Sequence, residues 1–91
     1  MSLEEFKKYY LEIHAPLFKS LFPEVRRYVI NLALSRGKEA PYDAVTEIYW
    51  DDLASIIGVA KSDAYKNVIR PDEDRFIESM QVVLTEEFPQ K

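Results

Sequence analysis

The chain opens on apolar residues spaced by three and four, Leu3, Phe6, Tyr10, Ile13, Leu17 and Leu21, while Glu4, Lys7, Lys8 and Glu12 fall mostly off that line. This spacing predicts an amphipathic helix with one buried stripe. Ser2 stands three residues before Glu5, a pair able to cap the helix start reciprocally. Pro16 disturbs the pattern. Inside a helix it has no N–H to give, and its ring meets the carbonyl of Glu12, at a cost of about 3 kcal/mol. A kink or break is expected near His14–Pro16.

The period changes after Pro23. Residues 25–34, VRRYVINLAL, are rich in β-branched and aromatic side chains and predict a strand. Tyr28, Ile30, Leu32 and Leu34 would share one face, and Arg27, Val29, Asn31 and Ala33 the other, half-polar face. A polar connection from Ser35 to Tyr42 leads to DAVTEIYW, residues 43–50, which should pair with the first strand as an antiparallel hairpin. Asp51 or Asp52 can cap a second, weaker helix with the stripe Leu53, Ile56, Ile57, Ala60 and Ala64, interrupted by Gly58. Residues 62–75 read as a short helical turn and a loop, and a last strand is expected from about Ser79 to Phe88. Helix, strand, strand, helix, strand is the split-βαβ pattern of the α+β class without its opening strand, so either the chain starts late or a neighbouring molecule supplies the pairing for an exposed sheet edge.

Composition narrows the function classes. At 91 residues, a single domain over 1–91 is expected, with a core small enough that oligomerisation is a strong prior. The absence of cysteine excludes disulfides, thiolate catalysis, zinc fingers and iron–sulfur clusters. Sixteen acids against twelve bases give a net charge of −4, which opposes nucleic-acid binding, and the bases do not cluster. No run approaches the roughly 20 apolar residues of a membrane span, so a cytoplasmic protein with no membrane partner is expected. Phosphate-cradling glycine loops and metal-ligand spacings are missing too, and neither a metal nor an organic cofactor is expected.

Three features carry candidate chemistry. His14 is the only histidine, and an imidazole titrates near ~6.5, suited to moving a proton to or from an oxygenated compound with a tyrosine hydroxyl as donor. The competing reading makes it a buried ring bonded to carbonyls freed by Pro16. Glu47 is a carboxylate in the middle of a strand; it either lines a cavity or pairs with Arg27 across the hairpin. Tyr28, Tyr49, Trp50 and Phe76 either wall a ligand pocket or form ordinary core and interface. The run Asp72–Glu73–Asp74 lacks the spacing of a calcium loop and reads as a solvated, helix-capping cluster.

Taken in order, SLEEFKKYYLEIHAPL, VRRYVIN, YDAVTEIYWDD and DEDRFIE resemble the EthD family of dimeric α+β barrel proteins over nearly the whole chain. The most specific piece is Phe6, Tyr9 or Tyr10, His14, Ala15 and Pro16, with Tyr10 where family members often carry tryptophan. Arg27, Tyr28 and Asn31 fit the second piece, Tyr42, Asp43, Glu47, Trp50 and Asp51 the third, and Asp72, Glu73 and Phe76 the last. The resemblance implies a ferredoxin-like fold whose sheet packs face to face with that of a second subunit and encloses a cavity. It also implies a small hydrophobic oxygenated ligand, with cofactor-independent oxidation, decarboxylation or rearrangement as the chemistry. In that reading His14 and Tyr10 are catalytic, and Tyr28, Asn31, Glu47, Tyr49 and Trp50 bind substrate. The alternative is a non-enzymatic carrier or accessory subunit of a degradative redox system.

Overall fold

Ser2 caps the first helix as its spacing predicts: its Oγ accepts from the Glu5 N–H at 3.1 Å, and its own N–H donates to Glu5 Oε1 at 3.1 Å. In the computed structural model, which describes residues 1–34 and 40–91, helix α1 (Leu3–Tyr9) runs into a π turn over Tyr10–His14 and continues as α2 (Ala15–Leu21). The π turn is how the helix accommodates Pro16. The Ala15 N–H reaches back five residues to the Tyr10 carbonyl, inserting one extra residue just where a regular turn would collide with the proline ring.

That insertion moves the buried stripe by one position. Before it, Phe6 and Tyr10 are buried as expected; beyond it, Ile13, Leu17 and Leu21 give way to His14, Phe18 and Phe22. Ile13 is half exposed, and Leu17 and Leu21 only flank the core. The expected stripe was thus right for α1 and wrong for α2, because a period read at 3.6 residues per turn carries no allowance for a wider turn.

Strands β1 (Arg27–Leu32) and β2 (Ala44–Tyr49) form the expected antiparallel hairpin, pairing Arg27 with Tyr49, Val29 with Glu47 and Asn31 with Val45. Both are shorter than their apolar runs, and Leu34, assigned above to the packed face, lies beyond β1 and is almost fully exposed. Of the expected connection, residues 35–39 lie outside the described residues. Tyr28, Ile30 and Leu32, with Ala44, Ile48 and Trp50, face the helices, while Arg27, Asn31, Glu47 and Tyr49 share the opposite face.

Asp52, rather than Asp51, caps α3 (Leu53–Lys61), its Oδ1 accepting from the Ser55 N–H at 2.8 Å. The segment expected to be mostly loop is helical: a second π turn over Tyr65–Ile69 leads into α4 (Arg70–Phe76), with Pro71 in its first turn. Again a proline follows a π turn, here closed by the Arg70 N–H on the Tyr65 carbonyl.

The expected last strand does not form. Residues 77–91 carry neither helix nor ladder, and among the described residues the sheet has two strands. A strand is stabilised only beside another, and in split-βαβ order the last strand lies next to the opening one, which residues 1–91 do not include. The architecture is a small α+β fold of the ferredoxin-like kind, with helices on one sheet face. Its core has two linked parts, Phe18, Phe22, Val59 and Ile69 at one end and Phe6, Tyr10 and Phe76 at the other.

Candidate functional site

The two π turns put one ionisable side chain each onto the buried side of its helix. His14 closes the first turn and Asp72 follows the second within α4; each is nearly inaccessible, at 3% and 2% exposure. His14 Nδ1 and Asp72 Oδ2 lie 2.8 Å apart. With Nδ1–H donating to the carboxylate, Nε2 is the basic nitrogen of the ring, and it has no hydrogen-bond partner among the described residues. His14 therefore does not satisfy carbonyls freed by Pro16, the structural role considered above. Its partner is a carboxylate 58 residues away.

Asp72 is the centre of a small network. The Tyr9 hydroxyl donates to its Oδ1 at 2.5 Å, and Arg75 reaches the same oxygen at 3.3 Å from a largely exposed position. Burial pushes the Asp72 carboxyl up, but the hydrogen bonds from Tyr9 and His14 and the nearby positive charge outweigh it, and the group ends below the usual carboxylate range. Bonding to that carboxylate, with some burial, in turn raises the Tyr9 hydroxyl. The solvated reading of residues 72–74 thus fails at Asp72 and suits Asp74, whose partner Arg70 is an exposed neighbour one turn away. Glu73 accepts from the Tyr65 hydroxyl at 2.7 Å, and burial, then Glu73, push that phenol up to about 12.

The imidazole sits among aromatic rings, with centroids 4.9 Å from Phe76, 5.6 Å from Tyr10 and 6.4 Å from Phe18. Hydroxyls approach from the sheet. Tyr10 Oη lies 2.6 Å from Thr46 Oγ1, and Tyr28, whose phenol burial and then Tyr10 hold far above its ordinary range, belongs to the same group. Trp50 packs on this side too, edge-on to Phe18. His14, Tyr10, Tyr28 and Trp50 are therefore brought to one side of the sheet.

Asn31, Glu47 and Tyr49 are on the other. The Asn31 side-chain amide donates to Glu47 Oε1 at 3.1 Å and the Tyr49 hydroxyl to Glu47 Oε2 at 2.8 Å, while the Arg27 guanidinium lies over the Tyr49 ring. The Arg27–Glu47 pairing considered for the hairpin is not made: Glu47 stands opposite Val29 with Arg27 and Asn31 as its two diagonal neighbours, and Asn31 bonds to it while Arg27 stacks on Tyr49, its own cross-strand partner. An open concavity of about 270 Å³ lies against Phe22, Val25, Arg27 and Tyr28, and neither His14 nor Asp72 lines it.

Asp72, Tyr9 and Thr46 are the residues that sequence reasoning did not assign to a site. A signal for Asp72 existed: it continues the line Tyr65, Ile69, Asp72, Phe76, which marks one helix face once residues 62–75 are read as helix. Among the described residues no group of three or more histidine, aspartate or glutamate side chains gathers as a metal site, and no helix is long and apolar enough to cross a membrane. No curated protein and no solved structure matches the chain. The EthD domain does, over residues 1–80, a span that includes His14, Asp72 and both π turns, and the chain therefore belongs to the EthD family.

Proposed function

We propose that residues 1–91 form one domain that binds a small hydrophobic oxygenated compound between its helices and its sheet, and that His14 moves a proton to or from that compound without metal or organic cofactor. The observation that carries this reading is the buried His14–Asp72 pair. A carboxylate on Nδ1 fixes the ring's tautomer and orientation and stabilises the imidazolium formed when Nε2 takes a proton, the arrangement general-base histidines use. Aromatic walls suit an apolar ligand, and the hydroxyls of Tyr10 and Tyr28 can orient an oxygen on it. Asn31, Glu47 and Tyr49 then act from the opposite face, where a homodimer packed sheet to sheet would enclose them.

The test needs no known substrate. Enolisable ketones and lactones with a hydrophobic ring are incubated with the protein in D2O, and exchange of the acidic C–H is followed by NMR. Wild type should catalyse exchange on some of them, and His14→Asn should lower the rate roughly 10²–10⁴-fold. Absence of exchange in wild type, or an equal rate in His14→Asn, overturns the proton-transfer role. The carrier reading draws on the near-complete burial of the ring; it predicts ligand-induced shifts at Tyr10 and Tyr28 without exchange. Light scattering tests the homodimer, which a monomeric mass at micromolar concentration would remove.

A further inference from the structure

Three side chains donate to the Asp72 carboxylate, and two of them come from one helix. In a regular helix, residues five apart point about 140° away from each other. Tyr9 and His14 are five apart, with the first π turn between them. The residue added by that turn leaves His14 placed relative to Tyr9 as a residue four along would be, about 40° away. The Tyr9 hydroxyl therefore reaches Asp72 Oδ1 at 2.5 Å while His14 Nδ1 stands 2.8 Å from Oδ2. One helix thus holds both oxygens of a carboxylate that another helix supplies.

The carboxylate needs such a hold. Its last torsion joins a tetrahedral carbon to a planar one and has only a broad, roughly twofold preference, so the side chain by itself does not decide where Oδ2 points. Among the described residues its partners are Tyr9, His14 and Arg75, and no backbone N–H bonds to it. Arg75 is a poor restraint. It lies at 3.3 Å, one turn along the same helix, with 69% of its side chain exposed to solvent that screens its charge. Tyr9 comes from a packed position, its ring centroid 5.0 Å from that of Phe76. Bonding to the carboxylate raises its hydroxyl above the ordinary range, so it remains a donor through neutral pH.

We propose that Tyr9 is the positioning residue of this pair: its hydroxyl fixes the Asp72 carboxylate so that Oδ2 stays on Nδ1, and His14 is thereby kept in the tautomer whose Nε2 is the base. Tyr9 acts through Asp72 and the π turn makes this possible, since without the added residue Tyr9 and His14 would point to different sides of the helix. The use of Nε2 as a base rests on the proton-transfer reading above, whereas the tautomer is measured without a substrate. A Tyr9 that served only to pack on Phe76 would leave the tautomer unchanged when its hydroxyl is removed.

His14 is the only histidine, so its two ring nitrogens give the only imidazole signals in nitrogen NMR of the isotope-labelled full chain. With the ring neutral at alkaline pH, their shifts report the proportion of the two tautomers. Wild type should hold the Nδ1–H form. Tyr9→Phe keeps the ring on Phe76, and with it the fold, and loses only the hydroxyl. The Nε2–H form should then rise at least about tenfold, a factor that one hydrogen bond to a charged group suffices to produce. Arg75→Gln should keep the wild-type tautomer. An unchanged tautomer in Tyr9→Phe, or as large a change in Arg75→Gln, overturns the proposal. Exchange of the acidic C–H in D2O separates this result from the reading beneath it. Where wild type exchanges a compound, Tyr9→Phe should lower kcat at constant KM, and a change in KM alone overturns the positioning role. Where wild type exchanges none, the proton-transfer role falls and the tautomer alone decides whether Tyr9 holds Asp72.

Discussion

Replacing Asp72 by leucine tests the site where its geometry is most demanding. The substitution removes the acceptor of the His14 Nδ1–H and of the Tyr9 hydroxyl together. Tyr9 is partly exposed and recovers water, whereas His14 is 3% exposed and cannot do so without moving. Breaking a buried pair from one side costs about 3–5 kcal/mol, a large share of the roughly 5–14 kcal/mol expected for 91 residues. His14→Phe should be costly from the other side, because it leaves the carboxylate buried with Tyr9 and the exposed Arg75 as its remaining partners. The double variant should recover most of the loss, since a phenyl ring at position 14 meets Phe76, Tyr10 and Phe18 and no charge stays buried. Urea unfolding followed by the fluorescence of Trp50, the only tryptophan, measures all four proteins at one fixed concentration. The cycle should give a coupling of at least about 2 kcal/mol. Two small, additive losses would refute the claim that the pair is buried and mutually dependent.

Acidification should act through the same carboxylate. Its folded value is held below the ordinary 3.8, so Asp72 contributes stability that is fully present above about pH 4–5 and is lost as pH falls through the lowered value. The stability gap between wild type and Asp72→Asn should accordingly narrow as pH falls below 3.8 in pH-dependent urea titrations. Pro16→Ala removes the ring that requires the π turn and lifts a bias of about 3 kcal/mol against a regular helix. Ile13, Leu17 and Leu21 then compete for burial, and the single imidazole signal in NMR should show His14 exposed and uncoupled from Asp72. Arg26→Ala breaks a bidentate pair with Asp51 in which both partners are more than half exposed and solvent-screened, so thermal unfolding should be nearly unchanged.

Local chemistry, confined to a few consecutive residues, was legible in the sequence: the Ser2–Glu5 capping box, an aspartate cap on α3, the β1–β2 hairpin and its two faces, and the presence of His14 beside a helix-breaking proline. Each depends on spacings that neighbouring residues determine by themselves. The phase of α2 was not legible, because two interleaved apolar stripes, Ile13–Leu17–Leu21 and Phe18–Phe22, fit the same helix and the π turn at Pro16 selects the second. Neither was the partner of His14. An acidic trio following Arg-Pro looks like a solvated cap, and only the packing of α4 against the first π turn makes Asp72 a buried acceptor 58 residues from its donor. The tail shows the opposite limit. Residues 79–88 have every local property of a strand, yet a ladder needs a neighbour, and whether one exists is decided by what else is in the sheet rather than by the segment itself.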